Sequence, residues 1–195
     1  GAIDLNTPFH CSGSEQIPGR AQRLHCWRST GHGAEKTPQA LQNSCNIAFA
    51  HIALKLGGER FYEYVKNFGV LEKTSGSFGQ TFKITPLQLV RAISSVVNGG
   101  QLMEPYIVSE ILDADGSTVM KAEPTVVRRT ISHETPDTMR TLIESVVTEG
   151  TAKNAKVAGF SIGGKTGTSE KIDVFDENGQ RVQDKIVSFV GIAPM

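Results

Sequence analysis

The chain has 195 residues, 38% hydrophobic and 21% charged, with 20 basic and 20 acidic side chains and a formal net charge of zero. That length supports one domain with a real core, and the neutral balance supplies no basic surface for nucleic acid or an anionic membrane. No apolar run approaches the roughly 20 residues of a spanning helix, and the opening "GAIDLNTPFH" lacks the basic-then-apolar layout of a signal peptide.

The first forty residues are turn-rich and irregular, with Gly13, Pro18, Gly19, Gly31 and Gly33. Such a segment buries little, so something else must fix it. "NIAFAHIALKL", Asn46 to Leu56, is apolar on nearly every face and reads as a buried helix that Gly57-Gly58 ends. "ERFYEYVKNFG" follows with Phe61, Tyr64, Val65 and Phe68 on one stripe. Thr85 as cap and Pro86 at the first helical position open a third helix, whose inner face carries Leu89, Val90, Ile93, Val96 and Val97. Asn98-Gly99-Gly100 stops it. "YIVSEILDADGSTVMK" reads as a hairpin turning at Asp115-Gly116. Thr135-Pro136 repeats the cap-and-proline start, with Met139, Leu142, Ile143 and Val146 at helical spacing. Two strands close the chain, one over about Val157 to Thr166. The other, "KIVSFVGIA", is so continuously apolar that a central place in a sheet is expected. This order predicts an α+β, or mixed α/β, fold with helices packed on an antiparallel sheet. "LEKTSGSFGQ" joins two helical regions through Ser-Gly-Ser, a linker composition, so residues 71–77 read as an ordinary loop or an engineered connection.

Chemistry concentrates in two places. In "GGKTGTSEK" a strand presents Lys165, Thr166, Gly167 and Thr168, an ammonium and two hydroxyls suited to a carboxylate. In "NSCN" Ser44 and Asn46 stand two residues apart on the turn into a rigid helix, where Asn46 alone would read as a helix cap. Together and in this order they resemble the second and third motifs of the penicillin-binding protein and serine β-lactamase superfamily, whose set is S-x-x-K, S-D-N and K-T-G. "ALQNSCN", "ERFYEYVKNFG", "SFGQTFKITPLQLVRAISSVVNGG", "EGTAKNA" and "GGKTGTSEK" are similar to successive landmarks of class B penicillin-binding transpeptidases. "FHCSG" and "HCWRSTGHG" resemble sporulation-associated members of that class. The likeness covers almost the whole chain.

The resemblance implies a partial transpeptidase domain over residues 1–195, with an incomplete version of the superfamily's fold. No Ser-x-x-Lys occurs; Thr118-Val-Met-Lys121 comes nearest, inside the hairpin. The nucleophilic serine is therefore expected outside this polypeptide, and the chain alone is expected to be inactive. The implied reaction is acyl transfer from a D-Ala-D-Ala peptidoglycan stem to serine and then to an amine, with β-lactams as mimics. Ser44 would relay protons, Asn46 would bond the substrate amide, and Lys165 would supply positive potential. Thr166 and Thr168 would bind the terminal carboxylate, with Gly167 between them. The Thr168 N–H would form half of an oxyanion hole. The complete protein would face the outside of the cytoplasmic membrane and could meet a membrane glycan polymerase. A non-catalytic zinc-stabilised peptide-binding module and a β-lactamase-like hydrolase are the competing functions.

Cys11, Cys26, His32 and Cys45 have the spacing C-x14-C-x5-H-x12-C. Three thiolates and an imidazole suit a closed tetrahedral zinc site, which would clip the loop-rich residues 1–45 and tie them to Ser44 and Asn46. Certain penicillin-binding transpeptidases carry a four-ligand zinc site at similar spacing. A Cys11–Cys26 disulfide with Cys45 as a buried thiol, or three unrelated thiols, are the alternatives. His25 competes with His32 as ligand; Gly31 and Gly33 favour His32, because they let the backbone wrap closely. Trp27 suggests packing beside the site. His51 reads as a satisfied core histidine, His10 and His133 as surface residues.

Overall fold

A computed structural model describes residues 2–70, 84–170, 175–180, 182 and 184–195, so the Ser-Gly-Ser stretch lies outside the described residues. In chain order the elements are β1 (Pro8–Cys11), β2 (Ser14–Glu15), β3 (Leu24–His25), β4 (Gly33–Lys36), α1 (Thr37–Gln42), α2 (Asn46–Leu56) and α3 (Gly58–Asn67). Then come α4 (Pro86–Val97), β5 (Gln101–Met103), β6 (Glu110–Leu112), β7 (Thr118–Lys121), β8 (Val126–Arg129), α5 (Thr135–Thr148), β9 (Gly163–Glu170) and β10 (Lys185–Ile192). All strand pairs are antiparallel, which gives the expected α+β class. No described helix is long and apolar enough to cross a membrane.

The chain divides into two units, Gly1–Leu56 with Arg140–Met195, and Gly57–Met139. In the first, β1 pairs with β4 so that Cys11 faces Gly33, and β2 pairs with β3. The core there is Phe9, Cys11, Cys26, Ala40, Cys45, Ile47 and Ala48, with Ile3, Leu24 and Ile52 packed against it. The irregular start therefore contains four short strands, too brief to announce themselves by alternation. α1 is a further addition: Thr37-Pro38 opens it as Thr85-Pro86 and Thr135-Pro136 open their helices, and the Lys36 N–H donates to Gln39 Oε1 at 3.1 Å.

α2 forms within the expected limits, but only Ile47 and Ala48 are buried while Phe49 and Leu54 are exposed. A smaller cluster of Val146, Val147 and Ala152 packs with Leu41 and Ala155. The end of α5 is latched to α1 by the Thr151 N–H donating to the Gln42 carbonyl at 2.9 Å and by Gln42 Nε2 donating to Glu149 at 3.2 Å. β9 starts at Gly163 rather than near Val157, because Lys153–Ala155 forms a 3-10 turn and the chain stays irregular until then. β10 pairs along its full length with β9 and, among the described residues, with nothing else. Ile186, Val187 and Phe189 are consequently exposed, so the central place expected for this strand is not reached.

In the second unit α3 and α4 form as read. Thr85 Oγ1 accepts from the Gln88 N–H at 3.2 Å, and Gln88 Oε1 accepts from the Thr85 N–H at 2.9 Å, a reciprocal cap. The inner face of α4 is rotated from the expected one: Ala92 and Ser95 are buried and Val90 is exposed. β6 and β7 make the predicted hairpin, with Gly116 at φ +84° and the Asp115 carboxylate accepting from the Ser117 backbone and hydroxyl. β5 and β8 form a second pair that the sequence did not announce.

Candidate active site

Ser44 sits between α1 and α2 with φ +50°, the left-handed region that a non-glycine residue enters at a cost of about 1 kcal/mol or more. Its neighbours fix that conformation. The Asn43 N–H donates to Gln39 O at 2.8 Å, the Ser44 N–H to Leu41 O at 3.1 Å, and the Cys45 N–H to Ala40 O at 3.0 Å, closing the end of α1. The result aims the hydroxyl at β9, where Lys165 Nζ donates to Ser44 Oγ at 2.8 Å and to the Thr166 carbonyl at 2.8 Å. Burial of the half-buried Lys165 holds its pKa below that of an ordinary lysine.

A cleft of about 670 Å³ opens beside this pair and is lined by Ser44, Asn46, Thr166, Gly167 and Thr168. The cleft also takes His25, Trp27, Thr151, Ser169 and Lys185, which the sequence reading did not assign to it. Thr151 could have been found from "EGTA", and its hydroxyl lies 3.4 Å from that of Thr166. A Cβ at Gly167 would stand 2.7 Å from Ser188 Oγ, so that hydroxyl would have to turn aside. Asn46 is not a side-chain cap. Its Nδ2 donates to the His25 carbonyl at 3.0 Å, while Cys45 Sγ accepts the Ala48 N–H at 3.5 Å. A second groove, of about 410 Å³ and lined by residues such as Arg60, Tyr64 and Arg129, contains none of the expected site residues.

Beside the cleft, which Cys26 helps to line, ligand atoms of Cys11, Cys26, His32 and Cys45 lie within 4.8 Å of one another. All three cysteines are free, so the alternative Cys11–Cys26 disulfide is not formed. His32 Nδ1 stands 3.6 Å from Cys26 Sγ, and its Nε2 is buried without a partner. Gly31, at φ +77°, makes the crossing possible, because a Cβ there would fall 2.1 Å from the Cys11 carbonyl. Burial pushes the Cys45 thiol far above its ordinary pKa, and the neighbouring Glu35 carboxylate adds to the shift. Cys11 moves the other way. Burial raises it, but hydrogen bonds from the His32 and Gly13 backbone and from Cys45 and Cys26 outweigh that and bring it down. A set of buried thiols and an imidazole with no bond among the sulfurs is one that could hold a metal ion.

His25 is exposed and outside the cluster, contributing its carbonyl to Asn46 instead. Trp27 is 62% exposed rather than packed away; its indole N–H donates to the Asn43 carbonyl at 2.8 Å and its ring lies 5.3 Å from that of His32. His51 is a half-exposed partner of Glu15 at 3.0 Å, not a core residue. His10 and His133 are on the surface, as expected.

Comparison with known proteins places these motifs in context. The family model described as the penicillin binding protein transpeptidase domain matches residues 1–195. Stage V sporulation protein D of Bacillus subtilis is 37% identical over 95% of this chain and 32% of its own length. The peptidoglycan D,D-transpeptidase MrdA of Acinetobacter baumannii is 25% identical over 100% of this chain and 35% of its own. Among solved structures, penicillin binding protein 3 of Mycobacterium tuberculosis, complexed with aztreonam, superposes with a TM-score of 0.80 at 25% identity. That match covers 98% of this chain and 49% of the other. The chain thus spans about a third of the length of the curated relatives it matches. With its full length matched by the family model, the chain belongs to the penicillin-binding protein transpeptidase domain family.

Proposed function

We propose that this chain supplies the second and third motifs of a serine D,D-transpeptidase that cross-links peptidoglycan stem peptides and is acylated by β-lactams. The observation that carries this reading is the 2.8 Å contact between Lys165 Nζ and Ser44 Oγ at the edge of a cleft lined by Asn46, Thr166 and Thr168. An ammonium on a serine hydroxyl suits proton relay, and hydroxyls on the adjoining strand suit a carboxylate. The names of relatives support the same activity, since one is a peptidoglycan D,D-transpeptidase and a structural neighbour was solved with a β-lactam.

In the reaction, a serine outside these 195 residues attacks the carbonyl of the penultimate D-alanine and forms an acyl ester. The terminal D-alanine leaves as its amine takes a proton, and the amine of a second stem then displaces the serine. Ser44 passes the proton toward the leaving amine, and the Lys165 charge favours the anionic tetrahedral intermediate. Asn46 holds the substrate amide, Thr166 and Thr168 the carboxylate, and the Thr168 N–H one side of the oxyanion hole. A protein acting on peptidoglycan works on the outer face of the cytoplasmic membrane, where a glycan polymerase could supply its strands.

We also read Cys11, Cys26, His32 and Cys45 as ligands of a structural zinc. The donor set fits: three buried thiols and a half-buried imidazole, gathered without disulfides. Zinc bound there would cross-link β1, the Cys26–His32 loop and the Ser44 turn. In the complete protein Lys165→Ala is expected to slow acylation by fluorescent penicillin on the order of 100-fold with little change in melting temperature. Acylation at the wild-type rate, or a loss explained by unfolding, overturns the reading.

A further inference from the structure

We propose that Glu35 is a positioning residue that holds the Asn43–Ser44 turn, and through it the Ser44 hydroxyl, within reach of Lys165. This rests on the transpeptidase reading, in which Ser44 and Lys165 act together. Glu35 lies on β4 and is only 6% exposed. A buried carboxylate is costly unless something answers its charge, yet no basic side chain among the described residues forms an ion pair with it. Its Oε2 accepts from Asn43 Nδ2 at 3.1 Å, while Oε1 is buried without a partner. The group also stands beside the Cys45 thiol. It therefore faces the residues on both sides of Ser44.

Asn43 is gripped from three directions. Its side chain is held by Glu35, its carbonyl by the Trp27 indole at 2.8 Å, and its N–H by the Gln39 carbonyl at 2.8 Å. The next residue is the only non-glycine with positive φ among the described residues. A left-handed serine relaxes unless its surroundings over-determine it, and a bond to a carboxylate is stronger than one to a neutral acceptor. Removing the carboxylate leaves the Asn43 amide without its acceptor and the turn free to relax. Ser44 Oγ then drifts from the 2.8 Å contact with Lys165, where a shift of about 1 Å carries a large kinetic penalty.

The test uses the complete protein and follows acylation by fluorescent penicillin, zinc per chain and melting temperature together. Glu35→Ala and Asn43→Ala are each expected to slow acylation about tenfold, with zinc and melting temperature kept. The double variant should be no slower than the slower single one, since both break the same link, and Glu35→Gln should recover most of the rate. Wild-type rates in both single variants overturn the proposal. So do losses that only follow lost zinc or lost folded protein, or losses that multiply in the double variant. Where Glu35→Ala does not fold, Asn43→Ala decides between the same outcomes. A protein slowed by Lys165→Ala but not by these variants removes the positioning role alone; one indifferent to Lys165→Ala removes the transpeptidase reading beneath it.

Discussion

Strain and close approach at single residues shape the site. Gly31 has both a positive φ and no room, since a Cβ would meet the Cys11 carbonyl at 2.1 Å and the Gly13 nitrogen at 2.7 Å. Gly19 has a similar φ, +78°, but open space. Gly31→Ala is therefore expected to cost about 3 kcal/mol or more and Gly19→Ala about 1 kcal/mol, measured by urea unfolding of the same protein. Equal costs would mean that the crossing of Cys11 and Gly31 has no tight contact to lose. At this scale the sequence was legible where residue type dictates chemistry: Lys165 and Ser44 could be paired, and three cysteines with a histidine could be gathered. Trp27 does pack beside the site, against the His32 ring, but stays exposed, with its indole N–H used on a carbonyl at the cleft edge. The left-handed backbone of Ser44 carries no composition signal, and Glu35 looked like any other charge in a polar loop.

Among the elements, the long ones were legible and the short ones were not. α2 declares itself by its apolar run, α4 and α5 by apolar spacing and by Thr-Pro starts. α1 has the same start but only six residues, fewer than two turns of pattern. Strands β1 to β4 have two to four residues each, below the length at which alternation can be read. What holds such brief elements is long-range: Cys11 and Cys26 join the Ala40 and Cys45 core. Under the zinc reading, purified protein carries about one zinc per chain, coupled to the folding of this segment. Hydrogen exchange after a strong chelator is expected to quicken across both Cys11–His32 and Ser44–Asn46, because Cys45 lies between the two site residues. Unchanged exchange at Ser44–Asn46 would show that the turn stands without the metal.

For the molecule as a whole, the site exists only because distant parts of the chain meet. The unit that holds it is assembled from Gly1–Leu56 and Arg140–Met195. Under the transpeptidase reading its chemistry is also divided, since no Ser-x-x-Lys occurs in the sequence. The 195-residue chain incubated with a large excess of benzylpenicillin is accordingly expected to keep its mass in electrospray spectrometry. A stoichiometric adduct on Ser44 would make that serine the nucleophile and reverse the roles assigned above.

Ser44 and Lys165 are separated by 121 positions. At roughly 5–20 residues per second, a ribosome delivers the lysine on the order of ten seconds after the serine. Over that interval the serine turn has only its own neighbourhood to lean on: the Asn43 contacts to Trp27, Glu35 and Gln39, all encoded before it. The partners of Asn43 are thus all encoded while Lys165 is still to be translated. The nascent chain has a stretch of time in which three reduced thiols must stay clear of oxidants.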